Sequence, residues 1–269
     1  MPIEIRDLLV SGASLAFGGA NVIMQLSRSP VGHGVIESRV ESGSLHRHPL
    51  KRTRTTLGYI MISLFGTDHE REVLRREVNR QHRQVRSLPD DPVAYNAFDP
   101  ELQLWIAACM FRGVQDAVTL FHGPQSPEVL EQVYRHCSRF ATTLQVPASM
   151  WPSDLAAFES YWREALARVS MDQVTRDFLY GLASLDFLAA PLRVTLGPLH
   201  RLVTTGFLPE TVRDELGLAW TARRQRAFDV AMSGAARVNR GLPRLVREFP
   251  WNVYLWDAQR RIRSGRPFV

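Results

Sequence analysis

An all-α fold is predicted for this chain of 269 residues, and three observations carry the prediction. Apolar residues recur at helical spacing nearly throughout. No stretch alternates with period two over more than a few residues, so strands are not expected. Helix openers stand where helices should begin, as at Asp99-Pro100 and Ser126-Pro127, where a capping side chain precedes a proline at the first helical position.

Taken in order, the pattern predicts a helix near residues 7–26, a loop around Arg28 to Gly34 and a short helix to about Ser42. A helix from about Pro49 to Phe65 follows, then one over Asp68 to Arg86 with Asp68 as N-cap and acids in its first turn. Ser87 to Asn96 is polar, punctuated by proline, and reads as a loop. Asp99-Pro100 opens a helix to about Phe121, Ser126-Pro127 opens the next, and Ser153 or Asp154 starts one to about Arg168. Further helices are expected over Met171 to Leu188, Pro191 to Thr205, Pro209 to Leu216, Ala222 to Arg240 and Trp251 to Arg263. No repeat is visible, and no linker rich in Gly, Ser or Pro divides the chain. One domain of about ten helices over residues 1–269 is the expectation.

Composition narrows the function. With 45% apolar and 22% charged residues, the chain resembles an ordinary globular protein. Its basic side chains are 32 arginines and the single lysine Lys51, interleaved with acids, so a net charge of +6 gives no nucleic-acid footprint. Cys109 and Cys137 lie 28 residues apart with no third cysteine, which argues against a zinc site or a disulfide framework and for a reducing, cytoplasmic setting. Leu8 to Leu26, the longest apolar stretch, is broken by Ser, Gly, Asn and Gln and is too polar to span a membrane, so no transmembrane segment is expected. The acidic N-terminus lacks the basic region of a signal peptide. GxGxxG, P-loop, HExxH and GxSxG patterns are absent, which removes the common nucleotide, zinc-protease and hydrolase readings.

His82 is the informative residue. Leu74, Val78 and Val85 form the apolar face of its helix, and His82 fills the missing turn of that stripe, while Arg71, Arg75, Arg76, Arg80, Arg83 and Arg86 take the other face. An imidazole so placed is either a packed core histidine hydrogen-bonded to protein or an axial ligand to a metal or haem iron. On the preceding helix Leu50, Leu57, Ile60, Met61 and Leu64 form an apolar face beside a polar stripe of Arg52, Thr56, Tyr59 and Ser63. Arg52 and Thr56 stand one turn apart, so a guanidinium and a hydroxyl can face one cavity. Cys109 reads as core, with a thiolate haem ligand as the alternative. His46 and His48 approach the Arg52 helix, and His69, His122 and His136 lie in polar contexts. His200 reads as a packed histidine.

The order of several short motifs resembles the MpaB/latex-clearing-protein family, the rubber oxygenase catalytic domain. These are Gln25-Leu26, Gly34-Val35, Glu37-Ser38, Arg52-xxx-Thr56, Phe65-Gly66-Thr67, His82-xx-Val85-Arg86 and Asp99-Pro100-Glu101-Leu102 with Trp105. Leu144-Gln145-Val146-Pro147, Trp151-Pro152, Tyr161, Gly206-Phe207-Leu208-Pro209 and Leu216 to Trp220 continue the likeness, which spans about residues 8–245. The resemblance implies a globin-like helical core binding haem b, with His82 as proximal iron ligand and Arg52 and Thr56 at the haem. Glu37 is the match by order for the family's catalytic glutamate. It further implies an oxygenase using dioxygen on an apolar substrate, and it leaves a homodimer open. Two alternatives stand beside it: a haem protein without turnover, sensing or storing haem or gas, and a helical scaffold that has lost its cofactor. The sequence departs from the family at Trp105-Ile106-Ala107-Ala108, where many members carry a histidine, and at Ser27-Arg28-Ser29. Thr55 stands where a lysine can precede the distal threonine.

Overall fold

The computed structural model describes residues 4–38 and 49–268. His46 and His48, and the expected helical segment beyond Ser38, lie outside the described residues. The described residues are all-helical. They form fifteen α-helices, and their only β-type pairings are two isolated bridges, Arg28 with Ser170 and Arg86 with Asn96.

The N-terminal helix expected near residues 7–26 is broken into three pieces. These are α1 (Ile5–Leu9), a 3-10 turn (Gly12–Phe17) and α2 (Gly18–Leu26). The segment expected to be a loop is α3 (Ser29–Ile36), opened by Pro30 in its first turn. Then come α4 (Pro49–Phe65), α5 (Asp68–His82) and the long α6 (Pro100–His122). The N-cap of α5 is Thr67 and not Asp68. Its hydroxyl accepts from the Glu70 amide at 3.2 Å while Glu70 Oε2 accepts from the Thr67 amide at 2.9 Å, a reciprocal capping box. The chain continues through α7 (Pro127–Cys137), α8 (Arg139–Thr142), α9 (Leu155–Ala167), α10 (Gln173–Ser184) and α11 (Ala190–Phe207). It ends with α12 (Glu210–Glu215), α13 (Ala222–Gly241), α14 (Arg244–Arg247) and α15 (Trp251–Arg263). The count exceeds the expected ten because the first expected helix is broken and because α8 and α14, each about one turn long, are too short to show a period, whereas α12 lies where a helix over Pro209 to Leu216 was expected.

α6 is the spine. Asp99 caps it by accepting from the amides of Glu101 and Leu102, and eleven of its residues are buried. By length and composition it is the one helix among the described residues that could cross a membrane, but its burial is that of a core helix. α2 lies against it so closely that Asn21 Nδ2 donates to the Cys109 carbonyl at 2.6 Å and Trp105 Nε1 donates to the Gln25 carbonyl at 3.1 Å. Trp105 in turn stacks on Trp162 of α9, with ring centroids 5.3 Å apart. A second cluster, Phe17, Phe121, Val203, Met232 and their neighbours, packs α11 and α13 against the far end of α6.

Two glycines permit backbone or ring contact that a side chain would block. A Cβ on Gly206 would lie 2.2 Å from the Phe228 ring, which accounts for the Gly206-Phe207 motif. A Cβ on Gly12 would lie 1.8 Å from the Phe249 carbonyl oxygen, where α14 and the chain after it cross the 3-10 turn. Because that obstacle is backbone, Gly12→Ala is expected to lower unfolding stability by about 1–3 kcal/mol in urea titrations, with the fold retained.

Candidate functional site

α2, α3, α4, α5 and α6 enclose a cavity of about 290 Å³. Leu26, Val31, Val35, Ile60, Val78, Leu102, Ile106 and Met110 make most of its wall apolar, and Phe140, Leu144 and the C-terminal Phe268 complete it. Three of the four residues singled out in the sequence, Arg52, Thr56 and His82, border this one space. Glu37 does not, although Val35 and Ser38 beside it do.

His82 is the last residue of α5, and its ring meets Phe98 edge-on with centroids 6.2 Å apart. Burial, and then the nearby charge of Arg52, pull its pKa down to about 4, so the imidazole is neutral at physiological pH. Nδ1 is fully buried and has no hydrogen-bond partner among the described residues, so a packed histidine bonded to protein through this nitrogen is not found. Leaving such a nitrogen unmet costs about 1–3 kcal/mol. Arg52 has no ion-pair partner among the described residues, and burial lowers its pKa too. Arg52 as a whole is nevertheless exposed, and it contributes to the lining of the cavity. The Thr55 hydroxyl turns back to the Lys51 and Arg52 carbonyls at 3.1 and 2.9 Å, whereas the Thr56 side chain has no such tie among the described residues. Tyr59 closes the stripe by donating to the Phe140 carbonyl at 2.7 Å. Leu50, placed with the apolar face of this helix by its spacing, is instead exposed, because it precedes the part of α4 that other helices cover.

The wall opposite α4 is held by amide side chains. Gln103 Nε2 donates to the Ala97 carbonyl at 2.7 Å and to Gln145 Oε1 at 2.6 Å, and the Gln145 amide donates back to Gln103 Oε1 at 3.1 Å. Gln145 Nε2 also reaches Asn79 of α5, so the Leu144-Gln145-Val146-Pro147 motif ties three segments of the wall together.

A histidine not singled out in the sequence is bonded on both sides. His33 is buried in α3, with Nδ1 at 2.6 Å from Glu37 Oε1 and Nε2 at 2.5 Å from Asp172 Oδ2. Two carboxylate acceptors require two ring protons, so the imidazolium is the bonded form. Burial opposes that charge, but the bonds to Asp172 and Glu37 outweigh it and raise the pKa. Asp172 caps α10 by accepting from the Thr175 amide at 2.8 Å, and despite burial that bond and His33 hold it down at about 2. The triad therefore fastens the cavity wall α3 to α10. Its signal was the His33-xxx-Glu37 spacing, which faces one way only if the segment is helical. Among the remaining candidates, His200 is packed as expected, with Nδ1 3.0 Å from the Ala183 carbonyl. Cys109 and Cys137 are buried free thiols whose pKa values burial drives upward, and neither borders the cavity.

The sign of the pH effect follows from these shifts. The raised His33 pKa gives stabilisation present in full below about 6.5 and lost as pH rises through the folded value. The depressed Asp172 pKa gives stabilisation lost only as pH falls through about 2. His33→Gln is thus expected to destabilise the protein by about 1–3 kcal/mol at pH 6 and by clearly less at pH 9, measured by urea unfolding at both. An equal loss at both would show that the imidazolium does not fasten the two helices.

Compared with known protein families, residues 6–237 match the family described as ER-bound oxygenase mpaB/B'/rubber oxygenase, catalytic domain. Two proteins, from Mycobacterium bovis and Mycobacterium tuberculosis and each described as uncharacterized, are 44% identical over 250 residues, which covers 93% of this chain and 98% of each relative. No solved structure matches. The family match covers most of the length and includes every residue that borders the cavity except Phe268. The chain belongs to the mpaB/rubber oxygenase catalytic-domain family, an oxygenase-type domain.

Proposed function

We propose that this chain is a haem b-dependent oxygenase that acts with dioxygen on an apolar small molecule, with His82 as the residue that would hold the iron and the surrounding helices as a globin-like core. One observation carries the reading. A neutral imidazole with a buried, partnerless nitrogen shares an apolar cavity with a guanidinium that has no counter-ion among the described residues. A scaffold that had dispensed with its cofactor would be expected to pair both groups with protein atoms. No group of three or more His, Cys, Asp or Glu able to hold a metal ion occurs among the described residues. A lone imidazole therefore fits an iron already held by a porphyrin better than a bare ion.

When bound, the haem supplies an iron at which dioxygen can be activated. The chain's own residues then have distinct tasks. His82, uncharged at working pH, offers a nitrogen lone pair without first losing a proton. The Arg52 guanidinium can hold a propionate by a charge-assisted pair or stabilise negative charge that develops in the cavity. Thr56 adds a hydroxyl one turn further along the same wall, within reach of an ordered water or a polar group of the ligand. The apolar lining excludes bulk water and selects an apolar substrate. Glu37 is proposed as a proton acceptor. Its Oε1 lies 2.6 Å from His33 Nδ1, which holds the carboxylate in place. At about 290 Å³ the space is just below the range of small-molecule sites, about 300–1,000 Å³, so seating a porphyrin requires the wall to open. A cytoplasmic location completes the proposal, in keeping with two free thiols.

Protein supplied with haemin is expected to show a Soret band that is lost or strongly altered in His82→Ala. An unchanged spectrum in a fully loaded variant, or a protein that stays colourless with excess haemin, would end the haem reading. Arg52→Ala is expected to weaken haem retention by about tenfold or more, the loss of one charge-assisted pair. Thr56→Ala is expected to keep the haem and change oxygen consumption instead. Equal haem occupancy and equal oxygen kinetics in both variants would remove α4 from the site.

A further inference from the structure

Seventeen large hydrophobic side chains are exposed among the described residues, and fifteen of them lie between Val174 and Trp256. The charge is distributed in the same way. Residues 174–269 hold fifteen arginines against eight carboxylates, whereas residues 1–173 hold eighteen basic and nineteen acidic side chains. The whole positive surplus of the protein therefore sits in the third of the chain that also exposes its apolar residues.

The densest part is the run from Leu242 to Trp256. Leu242, Leu245, Val246, Phe249, Val253 and Trp256 are all exposed, six within fifteen residues. Asn252 Nδ2 donates to the Leu245 carbonyl at 3.1 Å, which folds α14 onto the start of α15 and keeps these side chains close together. Flanking them are Arg237, Arg240, Arg260, Arg263 and Arg266, exposed and without ion-pair partners among the described residues. Arg260 lies over the Trp256 ring at 5.4 Å, so charge and aromatic surface are presented together. The opposite side of α15 is ordinary core, with Leu255 and Ala258 buried against α4.

We propose that the surface formed by α14, α15 and the end of α13 docks on the headgroup region of an anionic lipid bilayer. Phe249 and Trp256 would enter the interface, and the five arginines would meet lipid phosphates. Aromatic and aliphatic side chains ringed by arginine are suited to that boundary, where one end of each group is apolar and the other wet. A second copy of this chain is the poorer occupant, because a twofold pairing would set five unpaired arginines against their own copies. The proposal is independent of the cofactor.

Flotation with phosphatidylcholine vesicles, and with an equimolar mixture of phosphatidylcholine and phosphatidylglycerol, tests it. The full chain is expected to float with the mixed vesicles at low salt, to float far less with phosphatidylcholine alone, and to be released at high salt. A Phe249→Ser/Trp256→Ser variant and an Arg240→Gln/Arg260→Gln/Arg263→Gln variant should each partition about tenfold less or worse. Circular dichroism and the melting temperature should be unchanged, since all five side chains are exposed. Failure to float with mixed vesicles, or undiminished flotation of both variants, overturns the proposal. So does a dimer in sedimentation that Phe249→Ser/Trp256→Ser dissolves, which would assign the surface to a second copy.

Discussion

The close approach of α2 to α6 determines where every wall of the cavity can stand. Asn21 reaches the Cys109 carbonyl because Gly113, one turn further along α6, leaves room; a Cβ there would lie 2.6 Å from the Asn21 amide nitrogen. One turn before Cys109, Trp105 takes the Gln25 carbonyl at the end of α2. With both ends of that contact fixed, Gln25 and Leu26 arrive at the cavity rim, and α3 must turn off α2 beside them. α3 then has one free end, which the bonds between His33 and Asp172 fasten to α10. The remaining walls, α4 and α5, are set by the cap at Thr67 and by the amide ties from Gln103 and Gln145. The cavity is thus the space left between helices tied to one another by hydrogen bonds in and behind its wall.

Electrostatics inside that space follows from the packing. A guanidinium and an imidazole border one apolar volume, and neither has a carboxylate among the described residues to offset it. Arg52 keeps its charge because no protein environment makes it give up its proton at neutral pH. The histidine, with the lower intrinsic pKa, is the group that yields. Elsewhere in the molecule the same residue type has the opposite fate. Between Glu37 and Asp172, His33 is held as a cation. The two histidines lie on neighbouring elements and differ only in what faces them, which separates a group available to a ligand from one committed to structure.

Much of this was legible in the residues. The proline-opened helices, the bounds of α4, the polar stripe along it and the inward place of His82 are all read from spacing, because each depends on a period of 3.6 or on a local cap. What failed depended on contacts distant in sequence. The segment Arg28 to Gly34, with two glycines and a proline, looks like a loop; it is helical because Ser29 and Ser170 pair their backbones and Asp172 waits for His33. Misreading it hid the His33-xxx-Glu37 pair. The ten-helix count missed α8 and α14, which are too short to be periodic. Leu50 was placed inside by spacing alone, although its helix begins before its neighbours do. Trp256 and Phe249 are exposed although both are large aromatic side chains, which helical spacing alone does not reveal.

The central claim is that His82 is held uncharged by burial and by Arg52 across a shared cavity. The most direct test is the titration of the His82 ring followed by nuclear magnetic resonance in protein without haem, alone and as Arg52→Gln. The account requires a pKa of about 4, rising when the guanidinium is removed. A value near that of a free histidine, about 6.5, with no response to Arg52→Gln, would contradict it.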